Sequence, residues 1–268
     1  MLNENERSRR SRDAAEEALA RVVSHYGSRP EFVLLGGLVP ELLCAGSPYR
    51  HAGTTDVDVQ VNLVIQSGSV NAARLERALR DAGFEPDKSN VWRWKIHKDG
   101  STTVVKFELL ADLEDQPAEA TIRFQECDSL GAINLRGTRF AARDVGIHTI
   151  RAGKGGDIPA VEINVSGLAG FLLAKAAAAR SRRLPKDWYD IAFVLLHNAA
   201  GGPKVAADRV EQRFAGELVS GTRLALDELI ANFADASIVA DVSHAPTARC
   251  RRGTEVGAAS RGEVRSDR

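Results

Sequence analysis

Residues 56–64, DVDVQVNLV, alternate polar and apolar side chains along most of their length. A period of two suits a β-strand with one face buried and the other open; a helix cannot use it. It sends Val57 and Val59 to one face and Asp56 and Asp58 together to the other. The chain must therefore build a sheet that is covered on one side of this strand and presents two carboxylates on the other.

The flanking pattern predicts an α+β chain. Residues 12–26 carry Ala15, Ala18, Leu19 and Val22 at helical spacing. FVLL (32–35) reads as a short buried strand stopped by Gly36 and Gly37, with a short helix after it whose first turn holds Pro40. Residues 70–83 predict a helix ended by Gly83. VWRWKIH (91–97) and TVVKFELL (103–110) read as two strands joined around Asp99-Gly100. Shorter strands are expected near 119–125, 132–136 and 159–164, and from Ser166 the pattern turns helical. The expected division is a first domain over 1–165, a helical domain over 166–242, and a disordered tail over 243–268, whose sparse large apolar side chains cannot offset ordering entropy.

Charge and cysteine content narrow the function classes. Lys plus Arg and Asp plus Glu each number 36, a formal net charge of zero, which argues against a wholly cationic nucleic-acid coat. No run reaches the ~18 apolar residues of a membrane helix. The N-terminus has no apolar stretch behind its basic residues, and Cys44, Cys127 and Cys250 form no CxxC pair. A cytoplasmic protein without a membrane partner is the expectation.

The chemistry concentrates around the diglycine and the two acids. Asp56 and Asp58 repel each other on a shared face, and a divalent cation removes that penalty. Hard oxygen donors at this spacing suit Mg²⁺, commonly held by one or two carboxylates plus substrate phosphates. Gly36 and Gly37 let the backbone come close to a ligand, and the helix start after them favours phosphate. Two aspartates on a strand are also common on plain solvated surfaces. A third acid, Glu108, shares its strand face with Lys106 and could complete a two-metal site and take a proton from an attacking hydroxyl. Its plainer role is an ion pair with Lys106.

The run LLGGLVPELL…YRHAGTTDVDVQV resembles the signature of the nucleotidyltransferase (polymerase-β-like) superfamily: strand, Gly-Gly, helix, then two acids two apart, with a third acid on a later strand. The resemblance implies a mixed sheet flanked by helices, followed by a C-terminal helical bundle. It implies that Asp56 and Asp58 bind Mg²⁺ and that Glu108 assists the nucleophile. Arg50, Thr54 and Thr55 also resemble the run before the acids in small bacterial members. Leu38 departs from the pattern, since many members place Ser or Thr directly after the glycines.

The helical half adds an independent clue. Leu168, Phe171, Leu172, Lys175, Ala176 and Ala179 share one helix face, which sets an ammonium inside an apolar stripe. A buried cation needs a partner or a cleft. Asp187 and Asp190 share a side of the next helix, so pairing with Lys175 across antiparallel helices is expected. This salt bridge either fixes packing alone or steadies Lys175 against nucleotide phosphate. AKAAAARSRRLPKDWYDIAFVL resembles the Lys…Arg…Lys-Asp-x-x-Asp run of AbiEii-type nucleotidyltransferase toxins of type IV toxin–antitoxin systems. That likeness implies roles for Lys175 and Asp187 in activity, with Gly36, Gly37, Thr55, Lys175 and Asp190 around the nucleotide. It also implies a nucleoside triphosphate substrate, an RNA or tRNA acceptor and a cognate antitoxin. A small-molecule acceptor of the aminoglycoside type is the second enzyme reading. A catalytically silent nucleotide- or RNA-binding protein on the same scaffold, allowed by Leu38 and by Glu at 108, is the reading from another class.

Other signals read as structure. Arg93, Lys95 and His97 share a strand face opposite Trp92 and Trp94; they form either an RNA platform or a solvated face over a Trp core. Arg180, Arg182, Arg183 and Lys186 either meet RNA phosphates or sit at a solvated helix end. RAGKGGD (151–157) lacks the spacing and hydroxyl of a phosphate loop and reads as a hairpin loop. Cys44 reads as core.

Overall fold

The structure, a computed structural model, describes residues 9–61, 71–97, 103–151 and 158–234. The turn expected at Asp99-Gly100, most of the 151–157 loop and the 243–268 tail lie outside the described residues. The chain is α+β, with a mixed sheet flanked by helices. Among the described residues, no helix is long and apolar enough to cross a membrane.

Helix α1 (Arg9–Tyr26) leads into β1 (Val33–Leu35). A 3-10 turn over Gly36–Leu38 passes to a five-residue helix, α2 (Val39–Leu43), with Pro40 in its first turn. Strand β2 (Asp56–Gln60) follows, then α3 (Ala72–Asp81), whose N-cap Asn71 accepts a hydrogen bond from the Arg74 amide at 2.8 Å. Next come β3 (Glu85–Pro86), β4 (Arg93–His97), β5 (Val104–Ala111), β6 (Thr121–Arg123), β7 (Gly131–Asn134), α4 (Arg139–Arg143), β8 (Val145–Ile150) and β9 (Val161–Ser166). Four helices complete the described chain: α5 (Leu168–Arg182), α6 (Pro185–His197), α7 (Pro203–Phe214) and α8 (Ser220–Phe233). Strands β3 and β8 and helix α4 had no clear sequence signal. β8 reads VGIHTI, where a glycine and a histidine blur the alternation.

The strand order is β3-β4-β5-β2-β1-β9-β8. β2 runs parallel to β5 and antiparallel to β1, and β4 is antiparallel to β5. β7 joins β5 in parallel at Leu110 and Ala111, beyond the positions that β4 pairs. β1 sits between β2 and β9 and is buried throughout, as a central strand requires.

One sheet face carries Val57, Val59, Val105, Phe107 and Trp94, all buried. Phe107 meets Phe32 and Phe84 edge-on, with centroids at 5.9 and 6.0 Å. Helices α1 and α3 pack together, and α1 reaches β2, β5 and β9. A side chain of this size is worth about 2–3 kcal/mol when fully buried. On the other side a small cluster of Leu35, Leu110 and Ala141 seats α4 near the strand ends. α5 packs against α4, α6, α7 and α8. Every member of the predicted Lys175 stripe on α5 is buried. α5 ends at Arg183, in the left-handed region at φ 51°, and Pro185 starts α6 directly. So short a link makes α5 and α6 neighbours and brings their facing polar groups together.

Candidate active site

The registers of β2, β5 and β4 set the site. Asp58 pairs with Glu108, and Glu108 pairs with Arg93 on β4. One step along, Asp56 pairs with Lys106, and Lys106 with Lys95. Two cross-strand rows result, each running from a carboxylate on β2 to a cation on β4.

The ion pairs follow these rows and correct one sequence expectation. Glu108 does not pair with Lys106: Arg93 Nε donates to Glu108 Oε1 at 2.6 Å. Lys106 instead stands 3.3 Å from Asp56 Oδ1. On the Arg93, Lys95 and His97 face, Glu108 takes the first and Asp87 the second, while Lys95 stays 37% exposed and His97 is exposed. Period-two reasoning finds neighbours within a strand, whereas these partners are set by strand pairing. Trp94 is core, as expected, while Trp92 lies partly exposed with the Arg93 guanidinium 4.5 Å from its ring.

Asp58 has no hydrogen-bond or ion-pair partner among the described residues. Burial pushes its carboxyl up to about 7, the Glu108 and Asp56 charges push the same way, and Lys175 and Lys186 partly offset them. Burial also raises Glu108, against the pull of Arg93. Gly36 explains itself here. It sits at φ +75°, and a Cβ there would lie 1.9 Å from Asp58 Oδ2. The glycine makes room for the carboxylate, beyond any closeness to a ligand. Beside it Gly37 packs on Thr54, whose Oγ1 accepts from the Asp56 amide at 3.1 Å. The buried Arg12 guanidinium holds the same turn from α1, donating to the Leu38 carbonyl at 3.0 Å.

The helical side carries a buried chain of alternating charge. Lys175 Nζ donates to Asp187 Oδ1 at 3.0 Å and to Asp190 Oδ2 at 2.7 Å. Burial would lower the ammonium's proton affinity, but Asp190 and Asp187 outweigh it and hold Lys175 protonated. Arg182 Nη2 adds a bond to Asp187 Oδ1 at 2.8 Å, and His51 Nε2 meets Asp190 Oδ1 at 2.9 Å. The Tyr189 hydroxyl accepts from the Ala52 amide at 3.1 Å. The segment entering β2 is thus locked to α6, whose aspartates pair with Lys175 on α5. His51, Arg93 and Arg182 were not assigned to the site from sequence. For His51 the sole hint is its place just before the acidic motif.

A cavity of about 1000 Å³ joins the two sides. Gly36, Asp58, Glu108 and Lys175 line it, together with Arg136, Arg180 and Arg182. Gly37, Thr55, Asp56, Asp187 and Asp190 stand outside the lining. Thr55 is buried, and its carbonyl accepts from the Lys106 amide at 3.0 Å.

Among the described residues, no three His, Cys, Asp or Glu side chains are grouped closely enough to form a metal cage. The donors nevertheless have the chemistry of a hard divalent ion. Asp58 is unpartnered, Asp56 Oδ1 is shielded from solvent with the Lys106 ammonium 3.3 Å away and no hydrogen bond, and every candidate ligand is a carboxylate oxygen. The expected trio Asp56, Asp58 and Glu108 is not drawn into a cage, although Asp58 and Glu108 stand opposite each other across β2 and β5. No protein-family model and no curated protein matches this chain.

Proposed function

We propose that this chain is a Mg²⁺-dependent nucleotidyltransferase that moves a nucleoside monophosphate from a nucleoside triphosphate to an acceptor hydroxyl. One observation carries the reading: Asp58 and Glu108, directly paired on β2 and β5 beside Gly36, open into a cavity that Lys175 also lines. Bound Mg²⁺ would neutralise triphosphate charge at Asp56, Asp58 and Glu108. Glu108, whose proton affinity is raised by burial, accepts the proton of the acceptor hydroxyl. The hydroxyl oxygen forms a bond to the α-phosphorus, the bond from that phosphorus to the bridging oxygen breaks, and pyrophosphate leaves. Lys175, kept charged by Asp187 and Asp190, faces the phosphates from the helical wall, and Arg182 adds charge there. Most of the rate in such transfers comes from positioning and charge stabilisation.

The acceptor in this reading is RNA, with the tRNA 3′ end as first choice, and the setting is a cytoplasmic toxin–antitoxin pair. Arg136, Arg180 and Arg182 of the cavity wall would meet RNA phosphates in place of the carboxylates they now face. A silent nucleotide- or RNA-binding scaffold is the second reading, favoured by the cation pairs that already engage Asp56 and Glu108. Incubation with Mg²⁺, each labelled triphosphate and total tRNA separates them. Transfer by the native chain and its loss in Asp58→Asn supports the enzyme; nucleotide binding without transfer to RNA or to small aminocyclitol acceptors selects the scaffold.

A further inference from the structure

Three carboxylates meet two cations on this sheet face, and the pairing is uneven. Arg93 holds Glu108 at 2.6 Å with its side chain 27% exposed, and Lys106 stands 3.3 Å from Asp56 at the same 27%. Lys95, next in the second row, is already bound to Asp87. Lys175 is shared by its own two aspartates. Among the described residues Asp58 alone of the three makes no direct ion pair or hydrogen bond, at the β2 end of the row that runs through Glu108 to Arg93. Arg93 is also steered from behind, since its guanidinium stacks on the Trp92 ring at 4.5 Å.

We propose that Arg93 and Lys106 are built-in counter-cations that occupy Glu108 and Asp56 and compete with a divalent ion for them. This inference rests on the metal site of the proposed function. A divalent ion arriving at Asp58 meets two fixed positive charges within hydrogen-bond or ion-pair range of its other ligands. Even an ion that takes the second oxygen of Glu108 is repelled by the guanidinium on the first. Neutralising the acids keeps the sheet face folded without metal, at the cost of weaker metal binding. Once displaced, both cations face toward added negative charge, which a triphosphate supplies.

The test is calorimetric titration of the full chain with Mg²⁺, and with Mn²⁺ as a second probe, in the absence of nucleotide. Arg93→Gln is expected to bind either ion about three- to tenfold more tightly than the native chain, the range of a partly exposed ion pair. Lys106→Gln is expected to move the same way, while Arg93→Lys stays near the native value. Melting curves establish that each variant is folded, and Lys106→Gln carries the test if Arg93→Gln is not. Unchanged or weaker binding in the folded Gln variants overturns the inference while leaving the metal site standing. If the native chain binds no more tightly than Asp58→Asn, the metal site itself fails and this inference with it.

Discussion

Asp190 Oδ2 lies 2.7 Å from Lys175 Nζ, and both side chains are almost wholly removed from solvent. With Asp187 on the same ammonium at 3.0 Å, two buried anions share one buried cation, Arg182 and His51 completing the cluster at its ends. Replacing one partner of such a cluster leaves the others charged in a low-dielectric interior. Lys175→Met is expected to cost about 3–5 kcal/mol of unfolding free energy, well above the effect of any surface pair. Urea unfolding at neutral pH measures it. A loss below that of Lys204→Met, at an exposed ion pair with Asp208, would contradict the buried network.

Asp58 makes stability depend on pH in an unusual direction. Its carboxyl is pushed up to about 7, first by burial and then by Glu108 and Asp56. The folded chain therefore keeps this proton between about pH 4 and 7, where the unfolded chain has lost it. The unfolded state binds fewer protons in that window, so stability falls as pH rises through it. Asp58→Asn removes the penalty and is expected to be about 1–3 kcal/mol more stable than the native chain near pH 8, with the gain closing near pH 4. Urea titrations in EDTA across that range decide it, and equal stability at the upper end would refute the burial argument.

Two glycines with positive φ allow a controlled comparison. Gly36 stands at φ +75° with Asp58 Oδ2 where its Cβ would be, whereas Gly46 stands at φ +91° with nothing within 4 Å. Gly46→Ala should cost only the backbone strain, about 1 kcal/mol. Gly36→Ala adds the clash with the carboxylate and should cost about 2–4 kcal/mol, part of it recovered in a Gly36→Ala/Asp58→Ala double variant. Thermal melting of the native chain, Gly36→Ala, Asp58→Ala and the double variant gives the coupling; simple additivity would mean that Gly36 and Asp58 do not share that space.

Cys44 offers a probe of the α2–α6 contact. It is buried, its Sγ sits 4.0 Å from the Phe193 carbonyl, and burial followed by the Glu41 charge pushes the thiol up to about 12. A thiol so held carries little thiolate at pH 8. Maleimide is expected to modify it only after unfolding, with the site read by peptide mass spectrometry. Rapid labelling in the folded protein would show that this contact opens.

The alternation of 56–60 and the helical spacing of 168–179 were both legible from the order of residues, because side-chain period and strand or helix geometry are local. So were the shared faces of Asp56 with Asp58 and of Asp187 with Asp190. Strand β8 was not legible, since neither its glycine nor its histidine carries a pairing preference strong enough to outweigh loop readings.

The partners of the charges followed a different logic. Nothing in residues 91–110 says that Arg93 reaches Glu108 and leaves Lys106 to Asp56. That depends on which residue stands opposite which across β4, β5 and β2, a register settled by the packing of Trp94, Phe107 and Val57 on the far face. Likewise, only the folded chain joins His51 to Asp190 across 139 positions of sequence. Local periodicity determined which groups share a face; the tertiary fold decided which opposite charges meet, because Coulombic pairing acts through space and is indifferent to distance along the chain.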